Sequence, residues 1–213
     1  MRVIAIDGPA GSGKSTVGRG LADRLGLTYL DTGAMYRAVA FAAIRGGVDP
    51  TDSEPIGEVA RSIELSLDGG RVVVDGSDAT IEIRGPEVSR AVSLVAANPE
   101  VREELRTRQR LWAAEHGGGV IEGRDIGSVV FPDAVLKVYL TADPAERARR
   151  RADEMSELEY ERVAADLARR DALDQGRDDS PLVEPDGAVT VDTTAMTVDE
   201  VLELLVRLVE ERS

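Results

Sequence analysis

Lys14 is one of only two lysines in 213 residues, and it stands in the stretch Ile6 to Thr16, IDGPAGSGKST. Gly8, Gly13, Lys14 and Ser15 fill the fixed places of G-x-x-x-x-G-K-[ST], whose chemistry is capture of the phosphates of a nucleoside triphosphate. Glycine lets the backbone curl until successive N–H groups face one anion, and a helix beginning there adds the positive end of its dipole. The loop then comprises Gly8, Pro9, Ala10, Gly11, Ser12 and Gly13, followed by Lys14, Ser15 and Thr16. Lys14 would reach the β- and γ-phosphates and the Ser15 hydroxyl would hold Mg²⁺. The plainer alternative is a glycine-rich turn that only starts a helix. An apolar run before it and a helical pattern after it favour the phosphate loop.

A second group of residues suggests what is done with the triphosphate. Arg37, Arg124, Arg147, Arg150 and Arg151 fall near the ends of strands or in helical segments just after them, where open α/β sheets bind ligands. Phosphoryl transfer to a second phosphate brings several negative charges together, and arginine answers with a planar, permanently charged fork. An N-K-x-D guanine motif is missing, since the single Asn98 precedes Pro99. GVIEGRD ends in Glu122, Arg124 and Asp125 rather than in the apolar strand and Asp usual in motor ATPases. Alternatives stay open for several residues. The ERARRR helix could be an exposed face paired at (i, i+4), as between Glu146 and Arg150. Asp125 could pair with Arg124 or cap a turn, Asp31 and Thr32 could cap the next helix, and Ser93 sits alone on an apolar helix.

These residues need a frame. Arg2–Ile6, Leu27–Asp31, GVIEGRD, AVLKVYLTA and AVTVDTT read as strands, several as continuous apolar runs suited to a parallel sheet covered on both faces. Helical patterns alternate with them: Ser15 to Leu25 stopped by Gly26, GAMYRAVAFAAIR, a charged stretch from Asp143 to Leu173, and a last helix from Val198 with Val201, Leu202, Leu205, Leu208 and Val209 inward. PEVSRAVSLVAA and VREELRTRQRLWAAEH read as two further helices separated at Asn98 and Pro99, with Trp112 in core packing. IELSLDGGRVVVDGSDATIEI alternates around two turns, as a hairpin or small three-stranded sheet does. The fold class expected is α/β: a doubly wound five-stranded parallel sheet with a P-loop, a small antiparallel insertion and a helical lid, all in one domain over 1–213.

Composition narrows the partners. A net charge of −14 argues against polymeric nucleic acid, and 3% aromatics leaves few stacking platforms. The chain has no Cys and one His, His116, so disulfides and Cys- or His-based metal clusters are excluded. No apolar run approaches the roughly 18 residues of a membrane span, and the phosphate loop follows the first strand directly; a cytoplasmic monomer is expected.

Taken in order, IDGPAGSGKST, LDTGAMYR, SRAVSLVAANPEVR, EGRDIGSVVFPDA and RRDALDQGR resemble the bacterial cytidylate kinases along the whole chain. The resemblance implies transfer of the ATP γ-phosphoryl to CMP or dCMP with Mg²⁺. By match to the family's motifs, Arg37, Arg124 and Arg177 would hold the acceptor phosphate, and Ser93, Arg102 and Asp125 would read the base. Tyr36, Arg170 and Asp174 would surround the ribose, with Thr32 in the same acceptor set. Lys14, Arg124, Asp125, Arg147 and Arg150 would act in catalysis. The insertion at about 60–90 would belong to the monophosphate-binding part, and about 144–160 would be the mobile lid. Leu173 and Gln175 stand where some members carry arginine, and Glu122 where some carry Asp. Another small P-loop kinase, or a non-catalytic nucleotide sensor, are the competing readings.

Overall fold

The computed structural model describes residues 1–154 and 160–212. The chain divides into two compact units, one of Met1–Leu30 with Ala113–Ser213 and one of Asp31–Trp112.

The first unit carries the sheet. Its strands are β1 (Arg2–Asp7), β2 (Tyr29–Asp31, whose last residue begins the second unit), β6 (Gly118–Gly123), β7 (Leu136–Thr141) and β8 (Val189–Asp192), while β3 to β5 belong to the second unit. The order across the sheet is β2-β6-β1-β7-β8, and β1 pairs in parallel with β6 and β7, as β7 does with β8. The chain leaves β1 to one side and returns to the other, so β1 stands where the winding reverses. In such sheets the ligand crevice opens at the carboxyl ends of the strands beside that switch.

Helices cover the sheet for a simple reason: one face is apolar across its central strands, and on the other β1 and β6 bury Val3, Ala5 and Ile121 beside Lys137, Tyr139 and Thr141 of β7. Ile4, Ile6, Val120, Leu136, Val138 and Leu140 are fully buried. Val17 and Leu21 of α1 (Lys14–Leu25) and Val201, Leu202, Leu205 and Val209 of α8 (Val198–Glu210) complete one core cluster, with Leu208 half-buried beside it. Gly26 closes α1 in the left-handed conformation, φ 63°. Thr197 opens α8 with a reciprocal capping box to Glu200. Two more helices, α6 (Pro144–Glu154) and α7 (Tyr160–Gln175), follow β7.

The second unit holds α2 (Thr32–Arg45), α3 (Ser53–Ser62), α4 (Pro86–Val95), α5 (Pro99–Glu115) and an antiparallel sheet in the order β3 (Leu65–Asp68), β4 (Arg71–Val74), β5 (Ser77–Asp78). Gly69 and Gly70 turn with positive φ between β3 and β4. Val72, Val74, Ala79 and Ile83 pack with Ala34 and Ala38 of α2. The alternation read through ATIEI does not continue as strand: Asp78 accepts from the Thr80 N–H and hydroxyl, and a 3₁₀ turn follows over Glu82–Arg84. Asn98 starts α5 by accepting from the N–H groups of Glu100 and Val101. Trp112 is half-buried rather than part of the core.

Candidate active site

The phosphate loop lies between β1 and α1, at the carboxyl end of β1. Gly8, Gly11 and Gly13 all have positive φ, at 148°, 76° and 91°. Gly8 has no alternative, because a Cβ there would stand 2.0 Å from the Leu140 carbonyl oxygen. Gly13 precedes α1, and no side chain caps that helix, which leaves its first N–H groups for an anion.

Lys14 is buried at 8% exposure and donates to the Pro9 carbonyl oxygen at 2.7 Å. Burial lowers its pKa to about 7, helped by the charge of Arg124 and opposed by Glu122 and Asp7. Asp7, fully buried beneath the loop, is raised to about 6 by burial against the pull of its backbone donors. Those donors are the N–H groups of Ile126 and Gly127, at 2.8 and 2.7 Å. They pin the start of a single π-helical turn, Ile126–Val130, and with it the preceding Arg124 and Asp125.

Ser15 donates its hydroxyl to Glu122 Oε1 at 2.7 Å, and the Tyr29 phenol donates to the same oxygen at 2.8 Å. Hydroxyl and carboxylate are hard oxygen donors, the kind Mg²⁺ takes alongside substrate phosphates and water. Among the described residues there is no cluster of three acidic or histidine side chains that could hold a metal unaided. Ser15 and Glu122 therefore fit a Mg²⁺ that arrives with a triphosphate.

Around Asp174 the first unit gathers guanidinium groups. Arg124 Nε donates to Asp174 Oδ2 at 2.8 Å, and Arg177 pairs with Oδ1 of the same carboxylate. Burial would push Asp174 upward, but the charges of Arg124 and Arg177 hold its pKa low, with Arg170 adding to them. Reciprocally, burial works against the charge of Arg124, and Asp174 outweighs it. Asp125 is buried at the head of the π turn.

Arg147 and Arg150, offered above either to phosphate or to solvent, are both engaged. Arg147 is buried and donates to Ala10 O, Ala142 O and Asp171, at 2.9, 3.2 and 2.5 Å. Arg150 pairs with Glu146 at 2.9 Å, the (i, i+4) contact read from the sequence, and also donates to the carbonyl of Thr193 at 2.7 Å. Arg149 is the arginine of this helix that faces solvent among acidic neighbours, Glu146 and Asp153. Of the stretch 144–160 expected as a lid, Met155 to Glu159 lie outside the described residues.

The second unit contains the rest of the candidate set. Asp31 caps α2 by accepting from Ala34 N at 3.0 Å, and Thr32 is the first, buried residue of that helix. Arg37 Nη1 passes over Gly33, where a Cβ would come within 3.3 Å of it. Arg102, only 1% exposed, donates to Ala96 O at 3.0 Å and lies 5.7 Å from the centre of the Tyr36 ring. Ser93 is buried on α4. The structure thus brings Tyr36 to Arg102 in one unit, and Arg124, Asp174 and Arg177 together in the other. Tyr29, Asp7 and Asp171 were not singled out from the sequence. Each looks ordinary there, a strand aromatic, a strand-end carboxylate and a helix charge.

The family model described as cytidylate kinase matches residues 4–211. The chain is 52% identical over 204 residues to the cytidylate kinase of Caldanaerobacter subterraneus subsp. tengcongensis, covering 94% of this chain and 91% of that one. It is 50% identical over 215 residues to the cytidylate kinase of Mycobacterium leprae, covering 99% and 96%. A crystal structure of an uncharacterized protein from Eubacterium ventriosum shares the fold over the full length of both chains, with a TM-score of 0.56 at 12% identity.

Proposed function

Because the chain belongs to the cytidylate kinase family, we infer that it transfers the γ-phosphoryl group of ATP to CMP or dCMP, giving ADP and CDP or dCDP. The observation that carries this reading is the triphosphate loop and a half-buried pair of arginines held by the buried Asp174 in the same unit. A loop alone serves any P-loop protein. Fixed cations beside it serve a second phosphate.

The steps follow from the residues present. The donor's phosphates lie on the N–H groups of the loop and the start of α1, and Lys14 exchanges the Pro9 carbonyl for β- and γ-oxygens. Ser15 and Glu122 would hold a Mg²⁺ that arrives with the triphosphate, and the ion would supply charge to neutralise the phosphate oxygens. Arg124 and Arg177, held in place by Asp174, orient the acceptor phosphate, whose oxygen forms the new bond to the γ-phosphorus as the bond to the ADP oxygen breaks. Charge spreads over the equatorial oxygens during that exchange, and fixed guanidinium groups meet it without reorganising. In the second unit Arg37 serves the acceptor phosphate, Ser93 and Arg102 the base, and Tyr36 the sugar, with Thr32 in the same acceptor set. From the first unit Asp125 accepts from the cytosine N4 amino group, while Arg170 and Asp174 border the ribose. Arg147 and Arg150 support the loop and the nearby strand ends.

An acceptor panel tests the reading. ADP release is followed with CMP, dCMP, UMP, dTMP, AMP, GMP, shikimate and gluconate. Turnover should be fastest with CMP or dCMP, with base contacts contributing about 1–3 kcal/mol against UMP. Faster turnover on a purine monophosphate or a sugar-like acceptor would replace the reading.

A further inference from the structure

We propose that Asp171 is a positioning residue for the phosphate loop, holding Ala10 both directly and through Arg147, and thereby setting the affinity for the donor triphosphate. This rests on the reading of the chain as an ATP-dependent kinase. Ala10 is held at each polar backbone atom. Its N–H donates to Asp171 Oδ1 at 3.3 Å, and its carbonyl accepts from Arg147 Nη1 at 2.9 Å. The same nitrogen reaches Asp171 Oδ2 at 2.5 Å, which closes a ring of three partners. The Ala10 methyl packs with Ala148 of α6 and with Val163 and Leu167 of α7. One residue on, a Cβ at Gly11 would meet the Arg147 carbonyl oxygen at 3.0 Å. The loop is therefore seated on α6 and α7 at its Ala10–Gly11 apex, away from its two chain ends.

A phosphate loop works by presenting several N–H groups to one anion at once, so small displacements of its backbone cost binding. Asp171 also occupies a position with a second consequence for the loop's partners. Three residues later on the same helix, Asp174 holds Arg124 and Arg177. One helix thus fixes the donor loop with one carboxylate and the acceptor-side arginines with another.

The sign of the effect separates positioning from simple charge. Asp171 is an anion close to a loop that takes a polyanion, so by Coulomb's law alone its removal would tighten ATP binding. Positioning predicts the opposite. In calorimetric titrations with ATP and separately with CMP, Asp171→Ala should bind ATP about tenfold or more weakly while CMP affinity stays within about twofold. Because a buried arginine left without its carboxylate can unfold a protein, a second variant replaces the pair with apolar groups, Arg147→Met with Asp171→Leu, which such sites often accept without loss of stability. Its melting temperature should return to that of the parent while ATP binding stays weak. It should also bind ATP more weakly than Arg147→Met alone, since only the double variant takes the acceptor from the Ala10 N–H. Recovery of ATP affinity together with melting temperature would reduce the pair to a stabilising contact and overturn the proposal. So would a folded Asp171→Ala that binds ATP as well as, or better than, the parent. A parent protein that binds no ATP would instead remove the kinase reading, and the proposal with it.

Discussion

Lys14 shows how a single buried charge links the site to pH. Its folded pKa of about 7 lies below the ordinary 10.5, because burial disfavours the ammonium. Asp7 moves the other way, from 3.8 to about 6. Between about 7 and 10.5 the unfolded chain binds more protons at Lys14 than the folded one, so this group's contribution to stability rises with pH across that window. Between 3.8 and about 6 the folded chain binds more at Asp7, so that contribution falls as pH rises. Burial favours the neutral amine in the free protein, whereas a triphosphate favours the charged form. ATP binding should therefore take up protons at about pH 8, measured by calorimetry in buffers of different ionisation enthalpy, and Lys14→Met should abolish the uptake. Zero uptake by the parent would mean that Lys14 is already charged. At this scale the loop was legible because its glycines answer a local need, backbone with positive φ. Asp7 and Asp171 were not, because the backbone N–H groups they accept from, those of Ile126 and Gly127 for Asp7 and of Ala10 for Asp171, lie 119 or more residues away.

Among the elements, the sheet strands were readable as continuous apolar runs and the capped helices by their ends. Two pieces escaped that reading. Helix α3 contains Pro55 and Gly57, both poor helix formers. Pro55 is tolerated in the first turn, and at Gly57 a Cβ would stand 2.4 Å from Glu100 Oε2, a contact invisible in the local sequence. The π turn after β6 depends on the distant carboxylate of Asp7. A glycine inside α1 gives a test of the same kind. Gly18→Ala would ordinarily stabilise a helix by up to about 1 kcal/mol. Here a Cβ would meet Tyr29 Cε2 at 2.8 Å, and that ring is tethered through its hydroxyl to Glu122. Gly18→Ala should instead cost about 1–3 kcal/mol in denaturant unfolding. With Tyr29→Ala already in place, the same change should stabilise. A stabilising effect in the parent would show that the ring yields freely.

The whole molecule carries a net charge of −14 and still offers sites for polyanions, because its cations are gathered and fixed rather than spread. In the first unit, buried carboxylates hold Arg124, Arg147 and Arg177 in place, and the triphosphate loop stands in the same unit. Among the described residues no helix is long and apolar enough to cross a membrane. Alternation of strand and helix, with a hairpin set inside it, made the architecture legible apart from α3 and the π turn. Which arginines turn outward was not legible, since Arg147 and Arg149 differ by two positions in one charged run and have opposite surroundings. The account as a whole stands on direct transfer between two nucleotides. The measurement that tests it most directly follows the γ-phosphoryl itself: ATP labelled with ¹⁸O at the γ-phosphate is incubated with the protein and CMP, and products are weighed by mass spectrometry. The label should appear in the β-phosphate of CDP, with one CDP formed for each ADP. Label recovered in orthophosphate, with CMP unchanged, would contradict it.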